Sequence, residues 1–370
     1  MANNRFDIAV IGGGPAGAAT ALLLSKGGYS VLLLEASNYD RYRVGETLHP
    51  SITKGLRDLG VADDLLQLGY RSAAGIISAW TQPQLETSDF MLGLQGLGWQ
   101  VDRAVFDRVI AFAAASAGTS VLTQSHLVAT PTWTGKAWLL KAKSEGGIFN
   151  FKCRFLVDAT GRCGTPLLSY LSSRTVVDRL IGIAWTGKQD QQWPYALVES
   201  TSDGWFYSTS LPGSRATIAY MTDSDLYRDK SQQFPNVWWR ELRRTEHTSK
   251  RFPDRCDWRA LTIVSAATIS RIEPAGESWC AVGDAAISFD PLSGLGVQQA
   301  LDSAFQASDA ILARMAGNKR ALDCYRQWLN QCFSAYLVTR RAYYSHVKRW
   351  PSSRFWQRRA QTFPAVQSLA

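Results

Sequence analysis

Apolar positions form an unbroken run at Ile8-Ala9-Val10-Ile11, which predicts a short parallel strand over Phe6–Ile11 with both faces buried. An Ala- and Leu-rich stretch from Ala16 to Lys26 predicts a helix packed behind it, and Ser30-Val31-Leu32-Leu33-Leu34 a second buried strand ending at Glu35. Together they make a βαβ unit of about 30 residues. Residues 49–70 are predicted helical, 74–100 sheet followed by a polar loop, and Phe106–Ala117 an Ala-rich helix. Alternating segments from Val121 to Leu156, separated by Thr-Gly and Gly-Gly, predict an antiparallel meander. Strands are expected again over Ile181–Asp223, turning at Ser202-Asp203-Gly204 and Pro212-Gly213, then a helix over Pro235–Ser249. From about Gly294 the pattern is helical to the end, interrupted at Pro351, with Val297, Leu301, Ala304, Ser308, Ile311 and Met315 on one face.

At 370 residues the chain holds two or three structural units, at roughly 150 residues each. A composition 46% hydrophobic and rich in Trp, Tyr and Phe excludes a disordered chain. No apolar run approaches the ~20 residues that cross a bilayer. Met1–Asp7 runs straight into a glycine loop, leaving no room for a secretory signal, so a cytoplasmic location is expected. The cysteines are scattered without a C-x-x-C pair, which argues against zinc and against a disulfide framework; they are expected to be buried thiols. Residues 314–370, with eleven Lys or Arg and one acid, Asp323, carry +10, so the rest of the chain is −1 against a net of +9. Such a segment is either a solvated helical face or a surface for an acidic partner.

Gly12-Gly13-Gly14-Pro15-Ala16-Gly17 lies between the first strand and helix, and an acid, Glu35, stands 21 residues beyond Gly14. That context turns a weak glycine motif into a dinucleotide site. Gly12 permits the tight turn, Gly14 lets backbone approach a pyrophosphate, Gly17 lets helix and strand touch, and Glu35, followed by Ala36, would accept ribose hydroxyls. The motif alone leaves NAD and FAD open. Two later segments bear on the choice: Phe155–Arg162, a buried strand ending in Ala159-Thr160-Gly161, and Trp279–Ala286, with Gly283-Asp284 at a strand end. Asp290-Pro291-Leu292-Ser293-Gly294-Leu295-Gly296-Val297 follows as a second glycine loop opening a helix.

With Arg43-Val44-Gly45-Glu46, Val101-Asp102-Arg103 and Phe106-Asp107 added, this set resembles the flavin-dependent monooxygenase and halogenase superfamily with the para-hydroxybenzoate hydroxylase fold. The resemblance implies an α/β fold. A Rossmann-like FAD-binding domain would be assembled from 1–73, 101–180 and 271–325, a β-rich substrate domain from 74–100 and 181–270, and a basic helical segment from 326–370. It implies FAD held by Gly12, Gly14, Pro15, Ala16, Gly17, Glu35, Ala36, Arg43, Arg103, Gly161, Gly283, Asp284, Pro291, Gly294, Gly296 and Val297. Asp284 would hold the ribityl chain, and the loop before Val297 would lie against the isoalloxazine, where a helix N-terminus favours negative charge.

Departures narrow the branch. Thr160-Gly161 stands where hydroxylases that bind NADPH directly carry Asp-Gly, so a separate flavin reductase is an alternative source of electrons. Tryptophan halogenases use a lysine downstream of a Gly-Glu-Ser motif, whereas between Thr47 and Gln100 only Lys54 is present, too near the motif to match. Tyr207 in Gly204–Pro212 replaces the second Trp of their Gly-Trp-x-Trp-x-Ile-Pro.

Gly45–Pro50, Glu199–Trp205 and Met221–Leu226 look most like the flavoproteins that mature cysteine tryptophylquinone in lysine and glycine oxidases. That likeness implies oxygen-dependent hydroxylation of a tryptophan in a partner, the precursor of a quinone-cofactor amine or amino-acid oxidase, with no nucleic acid or membrane involved. Glu46 and His49 are the candidate catalytic residues, although His49 before Pro50 also reads as a helix-start residue; His126, His247 and His346 are isolated. Two other readings stay open: a hydroxylase or reductase of a small aromatic molecule, and a flavin-binding maturation chaperone without turnover. Arg340, Arg341, Lys348, Arg349, Arg354, Arg358 and Arg359, interleaved with aromatic residues, form the expected docking surface for a protein partner.

Overall fold

The structure is a computed structural model and describes residues 4–68, 70–93, 96–228, 236–251 and 261–361. Its first sheet is parallel at the centre, where the chain runs Ser120–Leu122, Val31–Leu34, Arg5–Ile11, Gly147–Asp158, Trp279–Ala281 from one side to the other. Ile8 to Ile11 and Val31 to Leu34 are all buried, because helices cover the sheet and leave neither face of these strands wet. The helix Pro15–Lys26 lies against Arg103–Ser116 and Gly296–Met315, and its Ala and Gly positions let those helices approach closely.

The expected meander is real only in part. Gly147–Asp158 pairs antiparallel with Trp138–Ser144 through its first half. Its second half enters the parallel sheet between Arg5–Ile11 and Trp279–Ala281. Ser120–Leu122 also belongs to the parallel sheet rather than to the meander. Continuous apolar character at Phe155-Leu156-Val157 marks the change, since alternation belongs to the half-exposed portion.

A second sheet of seven strands runs Thr262–Ser265, Leu180–Lys188, Arg215–Asp223, Gly204–Leu211, Tyr195–Thr201, Gly75–Ala79, Glu86–Asp89. All pairings are antiparallel except Tyr195–Thr201 with Gly75–Ala79. Alternation gives it two cores. Ile183, Phe206, Ile218 and Tyr220 pack with Trp238 of the helix Asn236–Arg243 on one face. Ala184, Trp205, Ala219 and Met221 pack with Tyr344, Phe355 and Trp356 on the other.

Other boundaries shift for local reasons. The helix expected over 49–70 is two, Ile52–Leu59 and Ala62–Gln67, parted at Gly60, whose φ of 78° makes it a left-handed C-cap. The helix expected from Phe106 starts at Arg103, where the Asp102 carboxylate accepts the Ala104 N–H. That expected over Pro235–Ser249 spans Asn236–Arg243, followed by a 3-10 turn at Thr248–Arg251. Cys153 and Cys280 are buried thiols as expected, but Cys163 and Cys324 are exposed; Cys256 lies outside the described residues. Among the described residues no helix is long and apolar enough to cross a membrane, and no cluster of His, Cys, Asp and Glu could hold a metal.

Candidate functional site

The loop after the first strand is shaped by two demands that differ from glycine to glycine. Gly12 has φ +110°, and a Cβ there would lie 2.2 Å from the Ala159 carbonyl oxygen. A Cβ at Gly17 would lie 1.9 Å from the Gly12 oxygen. Both are dictated by protein packing. Gly14, with φ −69° and ψ −177°, has a backbone any residue could adopt, and a Cβ there would meet no atom within 4 Å. Its missing side chain therefore matches a ligand approaching the N-terminus of the helix, where Pro15 opens the first turn and free N–H groups attract an anion. Ala16 is buried, and its Cβ lies 2.6 Å from where a Cβ of Gly283 would stand, so the loop after Trp279–Ala281 interlocks with this one.

Glu35 is buried and clasps the loop. Its Oε2 accepts the Gly13 N–H at 2.7 Å, while Oε1 accepts from Ser37 and from Arg43. Ala36 is exposed beside it. Arg43 continues the clasp to Asp107 at 2.7 Å, and Asp107 is also held by Arg103 at 3.2 Å. Arg103 donates to the Val44 carbonyl at 2.7 Å. Asp107 has no exposed surface, so it fixes two guanidinium groups at the edge of the site.

The second glycine loop is anchored from the far end of the chain. Asp290 accepts the Leu292 N–H on Oδ1, and on Oδ2 the Arg340 Nε–H at 3.3 Å and the Tyr344 hydroxyl at 2.8 Å; its own N–H donates to Tyr336 at 2.7 Å. These bonds fix the turn Pro291–Ser293 and the left-handed Gly294, φ 63°, ahead of the helix Gly296–Met315. A Cβ at Gly161, Gly294 or Gly296 would meet no atom within 4 Å. Asp284, with 30% of its side chain exposed, is paired to Arg162 at 3.2 Å. Val297 sits 3.9 Å, and Arg103 Nη1 2.6 Å, from the place of a Cβ on Gly45, φ +99°. Segments from three separate parts of the sequence thus meet at one point.

Beside that point the loop 42–47 faces the seven-stranded sheet through polar groups. Glu46 is buried; its Oε2 accepts the Gly45 N–H at 2.9 Å and its Oε1 the Tyr42 hydroxyl. Burial pushes the Glu46 carboxyl above the ordinary 4.5, against the pull of the Tyr42 hydrogen bond. Tyr42 Oη is 2.9 Å from Thr217 Oγ1, which is 3.1 Å from Thr186 Oγ1. Alongside, Tyr207 donates to Thr47 at 2.8 Å, Thr47 meets Thr209 at 3.0 Å, and Gln100 donates to Thr209 at 3.2 Å. His49 is placed elsewhere: exposed, with Nδ1 2.9 Å from Ser51 Oγ and its ring edge-on to Phe90. Those contacts fit the helix-start reading rather than a partner for Glu46. Sequence reasoning missed Tyr42, Thr209, Thr217 and the anchoring part of Asp290, none of which stands in a helical or strand spacing that announces the contact; the part of Asp107 was also missed, although its pairing with Arg103 at i,i+4 on one helix is a readable signal.

Ion pairing and burial take part of the basic carboxyl end out of the expected docking surface. Arg340 is tied to Asp178 and Asp290, Arg358 and Arg359 to Asp223, and Arg354 to Asp225, while Tyr344, Phe355 and Trp356 are core. Arg359 is 1% exposed and paired at 2.7 Å. Only Arg341, Lys348 and Arg349 of the expected set are exposed without an acid partner among the described residues.

Residues 5–337 match the FAD binding domain family. The chain is 31% identical over 369 residues to LodB of Marinomonas mediterranea, named as an FAD-dependent oxidoreductase, with 98% of each chain covered. In fold it is similar to the myxobacterial chondrochloren halogenase CndH, with a TM-score of 0.89, 22% identity and coverage of 99% of this chain and 88% of that one. It is likewise similar to the peptidyl tryptophan dihydroxylase QhpG, essential for tryptophylquinone cofactor biogenesis, with a TM-score of 0.80, 24% identity and coverage of 97% and 79%. The glycine positions with no atom within 4 Å of a Cβ leave room for the FAD that the matching family is named for. The chain belongs to the FAD binding domain family, within the flavin-dependent monooxygenase and halogenase superfamily, and is an FAD-dependent oxidoreductase.

Proposed function

We propose that the protein is a monooxygenase that hydroxylates a tryptophan of a partner protein during maturation of a cysteine tryptophylquinone cofactor. The partner would be the precursor of a quinone-bearing amine or amino-acid oxidase. The observation that carries this reading is the Glu46 cluster: where loop 42–47 meets the sheet, the hydrogen-bonded side chains include Glu46, Tyr42, Tyr207, Thr47, Thr209, Thr217 and Thr186, a carboxyl among hydroxyls that no lysine joins among the described residues. Such a set can take up a proton but lacks the ammonium group of the tryptophan halogenases. The end-to-end likeness to LodB and the fold shared with QhpG support it.

In this reading Gly12–Gly17 and the N-terminus of Pro15–Lys26 would hold the pyrophosphate, Asp284 beside Arg162 the ribityl chain, and Pro291–Val297 the isoalloxazine, with Arg43 and Arg103 near the cofactor. Reduced FAD, when bound, would supply the two electrons that activate dioxygen, one atom of which enters the ring while the other leaves as water. Glu46 then accepts the proton that the indole releases as aromaticity returns, a task suited to a carboxyl whose proton affinity burial has raised toward the working pH. The N-terminus of Gly296–Met315, with no acid in its first turn, favours negative charge beside it.

The test is incubation of the reduced, FAD-loaded protein and oxygen with candidate precursor proteins, read by intact mass. Gains in steps of one oxygen atom on a tryptophan are expected, and Glu46→Gln should lower the rate about 10²–10⁴-fold. Halogen incorporation from bromide or chloride, with no oxygen gain, would replace the reading with halogenation. Oxygen transfer to free aromatic molecules alone would remove the protein partner.

A further inference from the structure

Glu46 is 3% exposed, and its one hydrogen-bonded side-chain partner among the described residues is Tyr42. A base closed off in this way cannot work twice unless the proton it accepts has a way out. Tyr42 Oη is 2.9 Å from Thr217 Oγ1, and Thr217 Oγ1 is 3.1 Å from Thr186 Oγ1; Thr186 also bears on the Tyr42 hydroxyl directly. Tyr42 is 36% exposed as a residue, with its hydroxyl turned onto Glu46 and Thr217; Thr217 has no exposed surface, and Thr186 is half-buried. The hydroxyls therefore form a line from a sealed carboxyl to the outer part of the strand Leu180–Lys188. We propose that Tyr42 is the group through which Glu46 exchanges its proton, with Thr217 and Thr186 completing the path to solvent.

Each hydroxyl on the line both donates and accepts, so it gives up one proton as it receives another. The Glu46 carboxyl passes its proton to Tyr42 Oη while the Tyr42 hydrogen moves on to a threonine oxygen. The threonine hydrogen passes to water. No group is left charged except Glu46, which returns to carboxylate. Concerted transfer is required, because burial and the neighbouring Glu46 push the Tyr42 phenol well above its usual range and make a free phenolate costly. The Thr217 hydroxyl also points to the Trp185 carbonyl at 3.1 Å and has to turn from it for the path to run through Thr217. Of the other ionisable groups near Glu46, Arg103 on the helix Arg103–Ser116 favours the carboxylate, and Tyr207 on Gly204–Leu211 is held to Thr47 and outside the line.

The proposal rests on Glu46 being the base, and its test separates the two ideas. Infrared spectra of the FAD-loaded protein, taken below the ordinary carboxyl value of 4.5, show the C=O band of protonated Glu46, identified by its loss in Glu46→Gln. The time for that band to shift after mixing with D2O reports proton exchange without turnover. Tyr42→Phe keeps the ring and should slow the shift at least tenfold with FAD content unchanged. The double variant Thr217→Val, Thr186→Val, which leaves the Tyr42 contact to Glu46 in place, should also slow it. Exchange as fast as wild type in either variant overturns the proposal, and the double variant decides if Tyr42→Phe fails to fold. Turnover that survives Glu46→Gln would instead remove Glu46 as the base while leaving the exchange result standing.

Discussion

A Cβ at Gly12 would lie 2.2 Å from the Ala159 oxygen, whereas one at Gly14 would meet no atom within 4 Å. The two positions should fail differently. Gly12→Ala forces φ +110° on a residue with a side chain, which costs about 1–3 kcal/mol before the clash is counted. It should lower the melting temperature of the apoprotein. Gly14→Val should leave that temperature nearly unchanged and abolish bound flavin, seen as loss of yellow absorbance after gel filtration. Glu46 gives a second contrast. Its carboxyl titrates higher folded than unfolded, so the folded state binds the extra proton, and the stability that proton confers is present below 4.5 and lost as pH rises through the folded value. The difference in unfolding free energy between Glu46→Gln and wild type should therefore move in favour of the variant from about pH 4 to pH 8, measured by urea titration. A flat difference would mean that the carboxyl is not shifted.

Among elements, the second glycine loop shows what the chain conceals when read as letters. Pro291, Gly294 and Gly296 were legible because a loop poor in side chains before an amphipathic helix has a recognisable form. Nothing in Asp290 told that its carboxylate is held by Arg340 and Tyr344, since that contact depends on how Ala321–Ser345 crosses the sheet. The same holds for Glu46, identifiable from its motif, and Tyr42, whose contact is set by an irregular loop against a distant strand. Patterns of spacing reveal groups that share an element, and tertiary contacts across layers leave no such trace. Asp290→Asn keeps the cap on Leu292 but loses the pairing with Arg340. It should bind FAD more weakly, by about 1–3 kcal/mol, with an intact far-ultraviolet spectrum.

At the scale of the molecule, charge suggests a docking face at the carboxyl end, and burial takes Arg340 and Arg359 out of it. A run of Arg reads as exposed only if its acids are ignored, and Asp178, Asp223, Asp225 and Asp290 lie far away in sequence. Removing one partner of a buried pair leaves a stranded charge, so Arg359→Ala should destabilise by about 3–5 kcal/mol, read by thermal melting. Arg341→Glu, at an exposed position of the preceding helix Ala321–Ser345, should change stability by no more than about 0.5 kcal/mol.

The bonds from Asp290 to Arg340 and Tyr344 also set an order of events during synthesis. The glycine loop at Gly12–Gly17 finds most of its neighbours once residue 160 has left the ribosome, in the strands Val31–Leu34 and Gly147–Asp158 and at Ala159, and completes its packing when Gly283 arrives against Ala16. The loop at Pro291–Gly296 must wait for a stretch of chain that emerges some fifty residues after it. A nascent chain arrested near residue 335 would accordingly present the first half of the cradle and a slack second half, and flavin would be retained only after the last helices had been released and folded back.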